Sequence, residues 1–121
     1  MSVGEFRRMA LSLPEAVEAA HMGHPDFRVR GKIFATLGYP STGWGMAKLT
    51  PEQQELLVSV KPEAFVPVKG AWGRRGATSV RLRVAPKKMV RQALAYAWCN
   101  VAPGPLVRQF ESQATAILRA R

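Results

Sequence analysis

Apolar residues recur at two different spacings along this chain, and the change from one spacing to the other predicts alternating helices and strands. Helical spacing predicts a first helix over residues 3–12, where Ser2 and Glu5 have the arrangement of a capping box. The widest apolar arc runs over residues 86–101, which is typical of a helix that lies flat on a sheet. A last, amphipathic helix is predicted over residues 104–121.

One more helix is predicted from its start and stop signals. Thr50 has the position of the cap, Pro51 that of the first helical residue, and Gln53 completes a capping box. Pro62 ends the helix. The residues expected on its buried side are Leu56, Leu57 and Val60.

Strict alternation of apolar and polar residues predicts strands, and the clearest case is a hairpin over residues 26–37. Residues that oppose each other across a hairpin share a face, so the two arms can be aligned by parity. This alignment predicts a three-residue loop over residues 30–32 and places Phe34 on the outer face, opposite Arg28. The residues expected to face the core are Phe27, Val29, Ile33, Ala35 and Leu37.

Further strands are predicted over residues 44–49, 65–68 and 79–83, and residues 15–22 form either a short strand or an extended arm. The expected fold class is α+β, with two layers: an antiparallel sheet of about five to six strands and helices on one face. The element order is α-β(3)-α-β(2)-α plus an extra C-terminal helix. The other face of such a sheet can remain in water, and the strand parities place arginines there.

Basic residues are concentrated in one half of the chain. The net charge is +10 for 121 residues, and residues 64–110 hold nine lysines and arginines but no acidic residue. Such asymmetry indicates a polyanionic partner, for which nucleic acid is the leading candidate. The alternative is that the charge serves only solubility.

A basic, solvent-facing surface of the sheet is therefore the main candidate site. Lysine and arginine bind nucleic acid by neutralising phosphates, and exposed aromatic rings stack on bases, which favours single strands. The alternative for the two aromatic residues of the set is coverage by the C-terminal helix or a second subunit, and for the three cations of the 86–101 helix it is a solvated helix start. The candidate nucleic-acid-binding residues are Arg28, Arg30, Lys32, Phe34, Trp72, Arg74, Arg75, Arg81, Arg83, Lys87, Lys88 and Arg91.

Two glycines, Gly73 and Gly76, bracket the arginine pair of this set. They either let the backbone approach a phosphate or form a tight connection between two strands. Their spacing matches neither a Walker motif nor a dinucleotide fingerprint.

Metal binding and catalysis have little support in the sequence. His21 and His24 lie near Glu18 and Asp26, but one segment with no partner elsewhere is not a catalytic site, so no enzyme activity is expected. Neither a metal nor a cofactor is expected, because a histidine pair without cysteines is a weak zinc motif and Cys99 is interpreted as a small buried residue. The single cysteine fits a reducing cytoplasm, and neither a signal peptide nor a transmembrane helix is predicted.

Three blocks of the sequence form a recognisable set: residues 27–37 (Phe-Arg-Val-Arg-Gly-Lys-Ile-Phe-Ala-Thr-Leu), residues 72–82 (Trp-Gly-Arg-Arg-Gly-Ala-Thr-Ser-Val-Arg-Leu) and the pair Ala97-Trp98. Together they resemble the MmcQ/YjbR-like family of small bacterial proteins. Gly23-His24-Pro25 stands for the Gly-x-Pro before the first block. The resemblance covers residues 5 to 101, so we expect a family-like domain over residues 1–103 and an amphipathic helical extension over residues 104–121.

The resemblance implies an α-β(3)-α-β(2)-α fold similar to that of type III secretion chaperones. It also implies DNA binding, a description that for this family rests largely on comparison of folds. The expected function is nucleic-acid binding, with DNA as the expected partner, by a cytoplasmic monomer or homodimer that does not bind membranes; its precise role is unknown. The alternative is a protein-interaction or chaperone-like adaptor in which the apolar face of residues 106–118 makes the contact.

Overall fold

The computed structural model describes the backbone of residues 1–120 and the side chains of residues 1–113. The sheet is antiparallel throughout, with the strand order β1-β2-β3-β4-β6-β5. In chain order the elements are α1 (Val3–Leu11), β1 (Val17–His21), β2 (His24–Val29), β3 (Lys32–Leu37), β4 (Trp44–Lys48), α2 (Pro51–Val60), β5 (Phe65–Pro67), α3 (Ala71–Arg74), β6 (Ala77–Arg81), α4 (Lys87–Val101) and α5 (Gly104–Ala120).

Helices and sheet form two layers, which confirms the predicted α+β class. The long helix α4 packs on β3 and β4 and buries Val90, Leu94 and Trp98. Beside it, α1 contributes Phe6, whose ring centroid lies 6.1 Å from that of Phe27. The hydrophobic core thus lies between the helices and one face of the sheet. We call the other side the open face.

Both predicted capping boxes are present. The Ser2 hydroxyl accepts from the Glu5 backbone N–H at 3.1 Å, and the Glu5 carboxylate accepts from the Ser2 N–H at 3.0 Å. Thr50 and Gln53 make the same reciprocal pair at the start of α2. These bonds satisfy backbone donors that a helix start otherwise leaves unpaired.

The residues left open as a strand or an arm form β1, which pairs with β2 across the two-residue turn Met22-Gly23. A second two-residue turn, Arg30-Gly31, joins β2 to β3. In each turn the first residue has φ 50° and the glycine φ 80°. Positive φ at both positions is the requirement of the type I′ hairpin, whose twist matches that of the strands.

The predicted three-residue hairpin loop is therefore wrong. Val29 pairs with Lys32, so the loop holds only Arg30 and Gly31. Shortening the loop by one residue reverses the parity of the residues that follow it. Ile33, which was expected in the core, is accordingly only half-buried.

A β-bulge then restores the predicted parity for Ala35 and Leu37, and it places Phe34 on the side opposite to the one predicted. Arg28 pairs with Ile33, whereas the preceding Phe27 pairs with Ala35, so Phe34 is the extra residue of β3. Phe34 is 0% exposed and belongs to the core, not to the outer face as predicted. Burial of a phenyl side chain contributes about 2–3 kcal/mol, which outweighs the irregularity in the ladder.

Helix α2 buries less than its apolar pattern predicts. Leu57 is buried, but Leu56 is 48% and Val60 is 61% exposed. The helix lies at the β5–β6 edge of the sheet and packs chiefly on β5, so only a narrow stripe is covered. The prediction that all three residues face the core is wrong for two of them.

An ion pair between α1 and α4 should make part of the stability depend on pH. Lys87 Nζ lies 2.6 Å from Glu5 Oε2. This ammonium and the Ser2 backbone N–H lower the pKa of Glu5 from 4.5 to about 2. Because the folded pKa is the lower one, the stabilisation is present above pH 4.5 and is lost as the pH falls towards 2. In thermal melts, Glu5→Gln should remove this part of the acid-induced decline, and Glu55→Gln, a change at an exposed α2 glutamate, should melt like the wild type.

Candidate functional site

A row of aligned side chains crosses the open face. Asp26, Thr36, Met46 and Ser79 are successive partners on β2, β3, β4 and β6, and Val66 of β5 extends the row. Opposed residues share a face, so these side chains form one floor. With strands about 4.8 Å apart, the floor runs about 10 Å from Asp26 to Met46.

A cavity of about 420 Å³, here called the first cavity, opens on this floor. Thr36 and Met46 form its base. Its volume lies in the range of about 300–1,000 Å³ that is usual for small-ligand sites. One wall consists of His21, Met22, His24 and Tyr39, and the other consists of Val68, Lys69 and Trp72.

A buried carboxylate lies beside the first cavity. The side chain of Asp26 is 0% exposed, and Arg28 binds it through both carboxylate oxygens, at 2.7 and 3.0 Å. His21 Nδ1 lies 2.7 Å from Asp26 Oδ2. Hydrogen bonds from Arg28, and secondarily from His21, lower the pKa of Asp26 despite its burial. Asp26 is therefore ionised near neutral pH and accepts a hydrogen bond from His21 Nδ1–H.

This contact fixes the orientation of the His21 ring. Nδ1 carries the proton that Asp26 accepts, so Nε2 is the acceptor in the neutral ring. His21 is 42% exposed and lines the first cavity, and the Nε2 edge points away from Asp26. His24, its partner across the hairpin, lies edge-on to Tyr39 with 6.3 Å between ring centroids.

A second cavity of about 240 Å³ adjoins the first. It is lined by Lys48, Leu49, Trp72, Arg75 and Ala77. Trp72 lines both cavities, and its side chain is 59% exposed. Because they share this residue, we call the two cavities together the groove.

The glycines of this segment form a tight connection. A Cβ atom on Gly73 would overlap the carbonyl of Val68, and one on Gly76 would overlap that of Leu49. The side-chain amide of Gln54 also donates to the Gly73 carbonyl at 2.9 Å. These close approaches hold the one-turn helix α3, and with it Trp72, beside the groove. Of the two alternatives for these glycines, the close backbone contacts favour the tight connection.

Some of the predicted binding residues lie where the sequence placed them. Arg28 and Arg81 are on the open face, and the Arg81 guanidinium lies 5.7 Å from the ring centroid of Trp44. Trp72 and Arg75 line the groove. Arg28 differs from the others because its guanidinium is bound to Asp26.

Other predicted residues lie at the margins of the open face or beyond it. Arg30, at the tip of its hairpin, is paired with Glu15 at 2.6 Å. Lys32 pairs with buried Val29, which places it on the helix side of the sheet. Arg74 is exposed on α3, and Arg83 lies in the turn after β6 rather than in the strand.

The expectation of a single basic plane is wrong for the cations of α4. Lys87, Lys88 and Arg91 are exposed on the helix layer, on the far side of the sheet from the groove. Lys87 is paired with Glu5 there. Local sequence shows that these cations begin a helix, but not which side of the molecule that helix covers.

Five titratable residues of the groove were not among the predicted binding residues: His21, His24, Tyr39, Lys48 and Lys69. Lys48 could have been predicted from the sequence, because strand parity places it on the same face of β4 as Met46. The others come from turns and strand ends, where parity gives no information. Their proximity depends on the strand order.

The described residues contain no group of three or more histidine, cysteine or acidic side chains that could hold a metal ion. Cys99 is half-buried, and its burial, with a smaller contribution from Glu111, raises the pKa of its thiol. Within the part of the chain that the structure describes, no helix is long and apolar enough to cross a bilayer.

Fold and groove define a class of small α+β proteins with helices on one side of an open antiparallel sheet. The YjbR family model matches residues 11–100, and the chain belongs to the YjbR family. This confirms the resemblance found in the sequence. Comparison with curated proteins gives no match.

A solved structure with the same architecture is Deinococcus radiodurans protein DR2400, which has the family-model domain DUF419. The TM-score is 0.70 and the sequence identity is 18%, over 83% of this chain and 78% of that chain. At this identity the likeness establishes the fold alone.

Proposed function

We propose that this protein binds single-stranded nucleic acid along the groove of its open face. The observation that carries the proposal is that Trp72, an exposed indole, lines two cavities that are each also lined by cations. Lys69 lies at the first cavity, and Lys48 and Arg75 lie at the second. The indole would stack on a base while these cations neutralise the neighbouring phosphates.

The charge around the groove supports a polyanion. Among the described side chains, Lys48, Lys69 and Arg75 make no ion pair with an acidic group, in contrast to Arg30 and Lys87. The acidic residue of the floor, Asp26, is already neutralised by Arg28. A phosphate entering the groove therefore meets available positive charge and little repulsion.

The shape of the groove favours a single strand. In a duplex the bases are stacked on one another, so a projecting indole has no free base face to contact. In a single strand each base has such a face, and stacking on an aromatic side chain contributes about 1–3 kcal/mol per base. Tyr39, which is also exposed, provides a second ring at the opposite wall.

Salt dependence is the primary test of the proposal. Fluorescence anisotropy with a labelled single-stranded DNA oligomer should show tight binding at low salt. For about four phosphate contacts, the affinity should fall roughly 50-fold between ~50 and ~200 mM salt. An unlabelled duplex of the same length should compete less well than the single strand. Absence of binding at ~50 mM salt would contradict the proposal.

Matched charge reversals locate the surface. Arg75→Glu should weaken binding at least about tenfold and reduce the salt slope by about 0.7. Lys88→Glu makes the same charge change on the helix side, and we expect less than about a threefold effect because Lys88 lies away from the groove. Trp72→Ala should weaken binding about 5- to 150-fold through lost stacking. Equal losses from the two charge reversals would mean that only net charge matters.

The adaptor alternative has less support. It requires the apolar face of α5 to be available to a partner, but Leu106 is buried and the Phe110 ring packs on Trp98, with 5.1 Å between centroids. Ala114, Ile117 and Leu118 lie outside the described side chains. The described part of α5 is thus used in the protein's own core.

A further inference from the structure

The first cavity brings a pair of neighbouring histidines together with a lysine that is far from them in the sequence. His21 and His24 are direct partners across the β1–β2 turn, an arrangement that sets their Cβ atoms about 4.5–5.5 Å apart. Both line the cavity, and Lys69 lines it from the opposite wall. The sequence offered no partner for the histidine pair, and the fold supplies one.

The two histidines differ in their surroundings. His21 donates Nδ1–H to the buried carboxylate of Asp26, which is itself held by Arg28. This arrangement leaves Nε2 of neutral His21 with a lone pair and fixes the orientation of the ring. The rings of His24 and Tyr39 are nearly perpendicular, and no hydrogen bond or ion pair joins His24 to a carboxylate in the described part of the chain. A base with a carboxylate behind it and a second imidazole beside it are the components of paired acid–base catalysis.

We propose that the first cavity cleaves single-stranded RNA by internal transphosphorylation, with His21 as general base and His24 as general acid. The proposal rests on the proposed function, since the groove must first bind the strand. It adds a reaction and a substrate class, because the reaction requires the 2′-hydroxyl that distinguishes RNA from DNA.

The step balances without any other reactant. His21 Nε2 removes the proton from the ribose 2′-hydroxyl, and O2′ forms a bond to the adjacent phosphorus. The bond from phosphorus to O5′ of the next nucleotide breaks, and His24 gives its proton to that oxygen. The products are a 2′,3′-cyclic phosphate and a free 5′-hydroxyl. Exchange of one proton each with solvent returns both histidines to their starting states.

Lys69 and the aromatic residues have separate roles in this reaction. The transition state carries additional negative charge on the phosphoryl oxygens, and the Lys69 ammonium lies on the wall of the same cavity to offset it. Trp72 and Tyr39 hold the flanking bases, which fixes the phosphate between the two imidazoles. Asp26 is a positioning residue, because it acts through the His21 ring.

The test uses the full chain and two oligomers of identical sequence, one RNA and one 2′-deoxy, in buffer with EDTA. We expect cleavage of the RNA only, with 2′,3′-cyclic phosphate ends identified by mass spectrometry. His21→Gln and His24→Gln should each slow cleavage at least about 100-fold. The affinity of both histidine variants for the 2′-deoxy oligomer should stay within about threefold of the wild-type affinity. Lys88→Glu, purified in the same way, should cleave at the wild-type rate. Loss of cleavage in the histidine variants from the same purification then excludes a contaminating nuclease.

Asp26→Asn tests positioning at a temperature where this variant is folded. It should lower the cleavage rate and leave binding of the deoxy oligomer unchanged. The inference is overturned if the wild type does not cleave RNA or if the products end in 3′-hydroxyl groups. It is also overturned if the His21→Gln/His24→Gln double variant cleaves RNA as fast as the wild type. Binding of the deoxy oligomer without RNA cleavage would remove this inference and leave the proposed function intact. Absence of binding to either oligomer would remove both.

Discussion

Asp26→Ala should lower the free energy of unfolding by about 3 kcal/mol. The Asp26 carboxylate is buried and is bound through both oxygens by Arg28 and through one by His21. Its removal leaves a guanidinium without its partner, next to the floor of the groove. The loss falls at the lower end of the range for broken buried pairs, because the Arg28 side chain is 31% exposed and keeps some hydration.

Urea unfolding followed by tryptophan fluorescence measures this loss. The matched control is Glu15→Ala, which removes a carboxylate that Arg30 also binds through both oxygens, but at an exposed site. Exposed pairs contribute little, so the control should unfold at nearly the wild-type urea concentration. If both variants lose the same stability, burial of Asp26 is not the cause.

The same carboxylate should add to the acid sensitivity of the fold. Contacts with Arg28 and His21 hold the pKa of Asp26 below its ordinary value of 3.8. A lowered folded pKa means that the stabilisation is complete above that ordinary value and is lost as the pH falls through the folded pKa. The wild type should therefore lose more stability than Asp26→Ala when the pH is lowered from 5 to below 3.

Gly76→Ala should be the most damaging small substitution near the groove, at about 3 kcal/mol or more. Gly76 has φ 116°, a backbone conformation that costs a residue with a side chain about 1–3 kcal/mol. The added Cβ would also overlap the Leu49 carbonyl, and overpacking of this kind costs about 1–3 kcal/mol more. The connection that holds Trp72 would have to move, so nucleic-acid binding should weaken as well.

Gly43→Ala separates the two contributions. Gly43 has φ 89°, but a Cβ there has no neighbouring atom within 4 Å. Gly43→Ala should therefore lower stability only by the conformational cost, about 1–3 kcal/mol. The folded variant should bind nucleic acid as the wild type does. Thermal melts and anisotropy on both variants measure stability and binding separately. A Gly76→Ala protein that melts no lower than Gly43→Ala would show that the segment relaxes without cost.

Local sequence determined much of the fold. The capping boxes at Ser2 and Thr50, the flat apolar arc of α4 and the parity of β4 all follow from neighbours within a few residues. Helix caps and periodicities depend on residues a few positions apart, so the local sequence is enough to predict them. The excess of basic residues was also evident at this level, whereas the sequence left open whether Trp72 is exposed or covered.

Only the tertiary structure decided the bulge at Phe34 and the composition of the groove. The bulge reflects competition between a two-residue turn and burial of a ring in a core built by distant helices. The groove joins His21 and His24 of the first hairpin to Lys69 after β5, because the strand order brings separate segments to one face. Alternation tells which residues share a face of their own strand. Which strands lie side by side depends on the free energy of the assembled core, to which residues throughout the chain contribute.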